Sequence, residues 1–478
     1  MSVRRAAPKQ CRLRPGRPCP RLPTTELIRL PDSWNPGVRF AELSHVGMRR
    51  ANNQDALAVM IAESEDRLQR RGHLFVVADG MGAHAAGELA SKIASEQIAM
   101  QYYRSRENSP QMAIVEAVQV ANGAIFQRGH SNPEFHNMGT TASTLVLVGG
   151  QALVAHVGDS RVYRLRGETF EQLTFDHSLV WEMHASGQIP SDSPLGKSIP
   201  KNVITRSLGP AQEVTVDLEG PFDVRPDDRF LICSDGLTGQ IEDDELGVLL
   251  RCVDLDKAAS VLVDLANLRG GPDNTTVILV QVQGDRLTRR GGSGVQVRPA
   301  RKPWYDASNL LLATVGLCWV GAISFGLAAA LGHQRLIGSA VIALVLGAIA
   351  AGVWLGNRRR EQTAGKQKTD AAGNTGGQDP VEPYVQGTGP YRRCSASPSR
   401  AAYDRLHHLI EDLRQSAERN DWGMNWSAVD DLLDRARTAV DQNDLRSAIG
   451  LQAEAVLESM RQLRKYQDDS ASDTAVDL

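Results

Sequence analysis

Five aspartates stand beside short apolar runs at widely separated points of the chain, and their carboxylates suit metal chemistry. They are Asp55, Asp79, Asp159, Asp235 and Asp273. Asp79 and Asp235 each end an apolar run and precede a glycine, so each is predicted at the tip of a buried strand. Carboxylates gathered together repel one another unless cations bind between them, and oxygen ligands suit Mg²⁺ or Mn²⁺. Each Asp-Gly alone is typical of a plain turn, but the recurrence favours a hard-metal cluster.

The elements around these aspartates are predicted to be short strands and amphipathic helices. Apolar runs predict strands at residues 74–78, 142–148, 152–157 and 277–282. Apolar residues at helical spacing predict helices over residues 88–100 and 112–127. If the strands belong to one sheet sandwich, their ends converge on one edge. Arg50, in a polar loop, suits a phosphate because its guanidinium binds two oxygens at once.

Eight segments, taken in order, resemble the motifs of the metal-dependent protein phosphatases, the PPM or type-2C class, in its bacterial form. They are Arg50 to Asp55, Asp79 to Gly82, Gly139 to Thr141, Val157 to Arg161, Asp176 to Ser178, Ile204 to Gly209, Ser234 to Gly236, and Gly271 to Asn274. Their order and spacing agree over about residues 38 to 284. One such motif would be weak, whereas the ordered set is specific.

This resemblance implies an α+β fold, a β-sandwich flanked by helices on both faces (α-β-β-α). It also implies two Mn²⁺ or Mg²⁺ ions at the sandwich edge. By position, Asp79 would bridge the two ions and the carbonyl of Gly80 would bind one of them. Asp235 and Asp273 would bind the other.

The remaining roles also follow from the resemblance. Asp55 would orient the metal-bound water that attacks phosphorus, and Arg50 would hold the substrate phosphate. Asp159, with Asp235, would form a third and weaker metal site. The long segment 176–205 would be a flap that shapes substrate choice.

Some residues depart from the pattern of the class. Gln54 stands where many members have glutamate, and an amide can still hold a water, so we expect weaker metal binding rather than loss. Asn274 is predicted beside the ligands, next to Asp273. Gln54, Ala83 and the large C-terminal region motivate a rival hypothesis, a catalytically weak or inert phosphoprotein-binding membrane adaptor.

Bulk composition narrows the function classes. The net charge of −3 over 478 residues gives no indication of nucleic-acid binding. The six cysteines are scattered without metal-ligand spacing, which predicts reduced thiols in the cytosol.

The predicted domains are a disordered basic leader at 1–36, the phosphatase domain at 37–284, a linker at 285–307, a transmembrane hairpin at 308–356 (308–332 and 336–356), a disordered linker at 357–400, a helical interaction module at 401–467 and a disordered tail at 468–478.

The hairpin prediction rests on two uncharged apolar segments of about twenty residues, the length that crosses a bilayer. Arginines flank the pair on both sides, which predicts that both flanks are cytoplasmic. The sequence therefore predicts a multi-pass protein of the cytoplasmic membrane, with its catalytic and C-terminal domains in the cytoplasm. We expect a metal-dependent phosphatase acting on phosphoserine and phosphothreonine, partnered with a Ser/Thr kinase system. Self-association through residues 401–467 is a further expectation.

Overall fold

The structure is a computed structural model that describes residues 34–82, 85–187, 203–288 and 383–476, with side chains through residue 467. The chain divides into two compact units. The first comprises residues 1–295 and 380–478 and therefore contains both the predicted phosphatase domain and the C-terminal region. The second, residues 296–379, lies outside the described residues.

Strands form the centre of the first unit. Their bounds are β1 Val38–His45, β2 Asp55–Met60, β3 His73–Met81, β4 Gly139–Thr140, β5 Ala142–Val148, β6 Gln151–Val157, β7 Arg161–Arg166, β8 Thr169–Gln172, β9 Val216–Asp223, β10 Arg229–Cys233, β11 Thr275–Val282, β12 Tyr384–Gln386 and β13 Arg392–Ser395. The strands predicted from apolar runs are all present. β11 is buried along nearly its whole length, as its continuous apolar sequence predicts.

Helices surround the strands. Their bounds are α1 Glu65–Arg70, α2 Ala86–Arg104, α3 Pro110–Ser131, α4 Leu179–Ala185, α5 Asp235–Thr238, α6 Asp243–Cys252, α7 Leu255–Leu268, α8 Arg400–Arg419, α9 Ser427–Asp441 and α10 Leu445–Val476, with a short 3₁₀ turn at Pro133–Phe135. The two helices predicted from periodicity correspond to α2 and α3. Helix α10 continues into the segment predicted to be a disordered tail.

The strands form two sheets. One has the order β1-β11-β10-β7-β8-β13, and the other has the order β12-β9-β6-β5-β3-β2, with β4 paired to β3. Side chains from both sheets, including Phe75, Leu145, Phe230 and Ile278, share one buried apolar cluster. Helices α2 and α3 cover the second sheet, and α6 and α7 lie over the first. The predicted α+β sandwich with helices on both faces is confirmed.

The C-terminal region is part of this unit. Leu406 of α8, Val429 of α9 and Ile449 of α10 belong to the same buried cluster as Leu250 of α6 and Leu262 of α7. The three helices therefore form an additional layer over the first sheet. Self-association through residues 401–467 stays a prediction.

The segment before α8 contributes to both sheets. β12 pairs in parallel with β9, and β13 pairs antiparallel with β8. The prediction of a disordered linker over residues 357–400 is therefore wrong for these two strands. Their pairing depends on main-chain hydrogen bonds at the sheet edges, which leave little trace in composition.

The membrane predictions require correction. None of the helices in the described ranges combines the length and the apolar character that crossing a bilayer requires. The longer ones keep charged faces, as α8 does with Arg405 and Asp412. This finding contradicts the predicted transmembrane hairpin, and with it the predicted fold class that included a hairpin and the multi-pass membrane localisation. Residues 308–356 themselves lie outside the described residues.

Candidate active site

Strand pairing brings two of the aspartates together in the second sheet. Asp55 is the first residue of β2 and Asp79 lies near the end of β3, and the antiparallel register places them directly opposite each other. Cross-strand neighbours of this kind have Cβ atoms about 5 Å apart. Two carboxylates from segments far apart in sequence therefore share one rim of the sandwich.

The first sheet contributes two more of the predicted aspartates to that rim. Asp235 opens α5 directly after β10, and Asp273 stands in the turn that leads into β11. Because β10 and β11 are antiparallel neighbours, the end of one lies beside the start of the other. The Asp235 and Asp79 carboxyl groups are close enough to share a hydrogen bond.

Two glycines allow this close approach. A Cβ on Gly80 would lie 2.1 Å from the carbonyl oxygen of Gly87 and 2.5 Å from that of Gln54. A Cβ on Gly236 would lie 1.9 Å from the carbonyl oxygen of Asn274. These distances are shorter than any side chain tolerates, so the glycine after each strand-end aspartate is a steric requirement.

The carboxylates raise one another's pKa. Burial raises the pKa of Asp79 well above its usual range, and the charges of Asp55, Asp235 and Asp159 raise it further. Burial raises the pKa of Asp55 to about 7, although the hydroxyls of Thr276 and Ser234 oppose the shift. Such mutual repulsion in a buried place is the situation that a bound cation relieves.

Asp159 and Asp235 show the same effect. Burial, followed by the charges of Asp235 and Asp176, raises the pKa of Asp159 well above normal. Burial also raises the pKa of Asp235, with Asp273 adding to the shift and Arg161 and Arg50 opposing it. The structure therefore brings all five predicted aspartates into one electrostatic cluster.

The donor set fits a hard cation in its chemistry. Oδ1 of Asp55 and Oδ1 of Asp159 are buried and accept no hydrogen bond. Unpartnered buried carboxylate oxygens are costly unless a ligand reaches them. In the part of the chain that the structure describes, however, no three acidic, histidine or cysteine side chains already meet as a metal-ligand set.

Both oxygens of the Asp273 carboxylate already accept hydrogen bonds from groups other than the aspartates. Its Oδ2 accepts a hydrogen bond from Arg50 at 2.7 Å, and its Oδ1 accepts one from the backbone N–H of Asn274 at 2.9 Å. A cation bound through Asp273 would therefore compete with Arg50 for its carboxylate. The Arg50 side chain is 48% exposed, so it can move to a ligand at the rim.

Gln54 and Asn274 act on the backbone of the site. The side-chain oxygen of Asn274 accepts from the N–H of Gln54 at 2.8 Å, and its Nδ2 donates to the carbonyls of Val46 and Asn52. Asn274 therefore fixes the loop that carries Arg50. The carbonyl of Gln54 accepts from the N–H of Gly80 at 3.1 Å and from the Ser91 hydroxyl at 2.5 Å.

Sequence reasoning assigned no role to several residues that support the rim. Thr141 receives the N–H of Asp79 on its hydroxyl at 2.9 Å, and Thr140 donates its hydroxyl to the Asp79 carbonyl at 2.8 Å. The buried Arg161 guanidinium binds both oxygens of Asp176 and faces Asp159 and Asp235. The sequence feature that could have identified them is their position in the motifs Gly139 to Thr141 and Val157 to Arg161.

Known proteins match this part of the chain. A family model described as Protein phosphatase 2C matches residues 45–264. A putative protein phosphatase 2C-type of Streptococcus pyogenes is 36% identical over 252 residues, covering 52% of this chain and 99% of that protein. The protein phosphatase PhpP of Streptococcus pneumoniae is 35% identical over 251 residues, covering 51% of this chain and 98% of its own.

Solved structures are similar over the same region. The serine/threonine phosphatase PstP/Ppp of Mycobacterium tuberculosis has 32% identity and a TM-score of 0.46, covering 52% of this chain and 99% of that one. The PstP catalytic domain in complex with two manganese ions has 31% identity and a TM-score of 0.45, covering 52% of this chain and 99% of that one.

The chain belongs to the protein phosphatase 2C family. It is a hydrolase, a phosphoprotein phosphatase of the serine/threonine class, and the predicted enzyme class is confirmed. Its phosphatase region spans nearly the full length of the curated relatives that it matches. The C-terminal strands and helices lie beyond residues 45–264, which the family model matches.

Proposed function

We propose that this phosphatase hydrolyses phosphoserine and phosphothreonine with two Mn²⁺ or Mg²⁺ ions bound at the rim. Asp79 and the carbonyl of Gly80 would hold one ion, and Asp79, Asp235 and Asp273 the other. Asp159 would add to a third and weaker site. The observation that supports this proposal is the cluster of five buried or half-buried aspartates, each within electrostatic reach of its neighbours.

The chemistry of phosphoester hydrolysis explains why cations belong here. When bound, divalent ions would supply the positive charge that neutralises the aspartates and makes a water acidic enough to act as a nucleophile. Hard oxygen donors at a sheet edge suit such ions. The buried Cys233 lies beneath the rim, and burial raises the pKa of its thiol, so it is a poor nucleophile.

The residues of the chain supply binding and proton transfer. Arg50 would bind two phosphate oxygens through its guanidinium once it leaves Asp273. Asp55 would orient the attacking water and accept its proton, because its Oδ1 is unpartnered and faces the cluster. Asn274 would hold the loop that carries Arg50 in place through its hydrogen bonds to the carbonyls of Val46 and Asn52.

The experiment is a metal titration with the full chain. We expect hydrolysis of p-nitrophenyl phosphate and of a phosphothreonine peptide to require Mn²⁺ and to stop in excess EDTA. Asp79→Ala should lose at least about 100-fold in kcat, by analogy with the loss of a preorganised charge-stabilising group. Asp285→Ala, which removes an exposed acid outside the rim, is the matched control. Equal turnover with and without EDTA would contradict the proposal.

A second measurement addresses Arg50. Arg50→Ala should mainly raise KM for the phosphopeptide, because the side chain binds phosphate rather than the ions. Arg49→Ala removes the same charge from the adjacent exposed position and serves as the control. An unchanged KM for Arg50→Ala would remove the assigned role.

The protein substrates are proposed to be targets of a partner Ser/Thr kinase. The support is the confirmed enzyme class, whose substrates are phosphoproteins made by such kinases. A phosphoproteomic comparison of deletion and wild-type cells would identify them. Phosphosites that rise in the deletion and fall again on complementation are the expected outcome, and an unchanged phosphoproteome is the contradictory one.

A further inference from the structure

The segment from residue 383 to residue 396, here called the strap, crosses the edges of both sheets. Tyr384, Val385 and Gln386 pair with β9, and Arg392 to Ser395 pair with β8. Between the two strands, Gly389 donates its N–H to Glu219 at 2.9 Å and the Tyr391 hydroxyl donates to the same carboxylate at 2.5 Å. The strap is thus fixed at both ends and at its centre.

Two strap side chains contact the segment that leads into α4. The ring of Tyr391 meets the ring of Phe175 edge to face, with centroids 5.4 Å apart. The guanidinium of Arg392 lies 3.9 Å from the centroid of Trp181, and Phe175 and Trp181 also contact each other. A cation this close to a buried indole is held by cation–π attraction as well as by packing.

That segment in turn holds one wall of the rim. His177 donates its N–H to the carbonyl of Gly158 at 2.8 Å, and Gly158 donates its N–H to Nδ1 of His177 at 2.9 Å. Asp176 binds Arg161 through both carboxylate oxygens. Gly158 has φ of 114° and its Cβ position is blocked by Thr141, so the turn before Asp159 has little freedom.

The contacts therefore form a continuous path from the strap to a rim carboxylate. Tyr391 and Arg392 contact Phe175 and Trp181. The adjoining His177 exchanges two hydrogen bonds with Gly158, which directly precedes Asp159. The path depends on the C-terminal segment, which lies beyond residues 45–264 that match the family. Tyr391 and Arg392 themselves both lie outside the matched residues.

We propose that Tyr391 and Arg392 are positioning residues of the phosphatase site. Through residues 175–181 they hold Asp159 in the orientation that divalent-ion binding requires, so the C-terminal segment tunes the affinity of the rim for its ions. This inference rests on the proposed metal-dependent function. It assigns the strap an effect on the site in addition to its pairing with the sheets.

The test measures Mn²⁺ binding to the metal-free full chain by isothermal titration calorimetry at 25 °C. Arg392→Ala should weaken binding by about three- to tenfold, less than the loss of a direct neighbour of a metal ligand. The Mn²⁺ concentration that gives half-maximal hydrolysis of p-nitrophenyl phosphate should rise in parallel. At saturating Mn²⁺, kcat should stay within about twofold of wild type, because no ligand is removed.

Matched variants separate positioning from folding. Arg393→Ala removes the same charge from the next residue, which faces the other side of the strand and pairs with Glu171, and it should leave Mn²⁺ affinity unchanged. Tyr391→Phe keeps the ring contact with Phe175 and loses only the hydrogen bond to Glu219, so it should keep wild-type Mn²⁺ affinity even if its melting temperature falls, whereas Tyr391→Ala should resemble Arg392→Ala.

Three outcomes decide the matter. Weaker Mn²⁺ binding in Arg392→Ala but not in Arg393→Ala supports the proposal. A lower melting temperature with unchanged Mn²⁺ affinity would show a structural role only and overturn it. If wild type itself neither binds nor needs Mn²⁺, the proposed function fails first, and the two failures remain distinguishable.

Discussion

The aspartate rim and the surface that holds the C-terminal helices differ in how their charges are balanced. At the rim, Asp55, Asp79 and Asp235 lie close together, and burial and neighbouring carboxylates raise their pKa values. At the helical interface, Arg464 binds the buried Asp264, and Lys257 binds Glu454 at 2.6 Å. The rim is poised to receive cations from outside, whereas the interface already contains its own.

This difference shows how one chain combines a ligand site with a stable scaffold. Like charges gathered by strand ends destabilise the folded state until a ligand compensates them. The interface adds apolar burial and paired charges, and so contributes the stability that the rim lacks. A stability–function trade-off of this kind is common at active sites.

Removing the C-terminal helices should have the largest effect on stability, because it eliminates the helical interface. Deletion of residues 383–478 exposes the outer apolar faces of α6 and α7 and opens an edge of each sheet. We expect a loss of roughly 5 kcal/mol or more in the free energy of unfolding, the value of a few fully buried aliphatic side chains. Urea unfolding and size-exclusion chromatography would measure it.

The control for that deletion is a chain that ends at residue 467, which keeps the described interface side chains. It should unfold at the same urea concentration as wild type. A stable, monodisperse chain lacking residues 383–478 would show that the interface adds little to the phosphatase fold.

Asp79→Asn tests the rim with a change of nearly equal shape. Because it removes one of several like charges, it should stabilise the metal-free protein by roughly 1 kcal/mol while abolishing activity. Thermal unfolding without metal, compared with turnover in Mn²⁺, would check both effects. Lower stability in the metal-free variant would contradict the idea that repulsion dominates the rim.

Arg464→Ala applies the matching test at the interface, and its effect on stability has the opposite sign. It leaves Asp264, whose side chain is 3% exposed, buried without its partner. We expect a destabilisation of about 3 kcal/mol, measured by urea unfolding. Arg461→Ala removes an arginine from an exposed pair on the same helix and should leave the free energy of unfolding unchanged within error.

Acid should weaken the scaffold through buried histidines. Burial lowers the pKa of His73 from 6.5 to about 4, while its ring nitrogens meet the N–H of Ala62 and the carbonyl of Pro36. The unfolded state therefore binds more protons between pH 6.5 and 4, so stability is full above pH 6.5 and is lost as pH falls. His73 alone should contribute a loss of roughly 1 kcal/mol between pH 7.5 and 5.5.

Urea unfolding at several pH values measures this slope. His73→Gln should flatten it, because the titrating group is gone. His136→Gln, which changes an exposed histidine, should leave the slope unchanged. A slope that His73→Gln does not alter would assign acid sensitivity to other groups.

Much of the phosphatase region was predictable from the sequence because its signals are local. The continuous apolar run of β11 identifies a central strand, and the recurring strand-Asp-Gly pattern identifies Asp79 and Asp235 as strand-end residues. The motif order identified the class. The apolar segments at 308–356, by contrast, predicted a membrane hairpin that finds no support in the helices the structure describes.

Only the tertiary structure shows which segments that are far apart in sequence lie side by side. The register that sets Asp55 opposite Asp79, and the pairing of the strap with β8 and β9, depend on main-chain hydrogen bonds between segments far apart in sequence. Such bonds have no side-chain signature, so composition indicated a linker where the chain forms strands. The sequence by itself determined which side chains are available for chemistry. The tertiary structure decided which of these side chains lie close enough to shift one another's pKa, and which segment of the chain holds them in place.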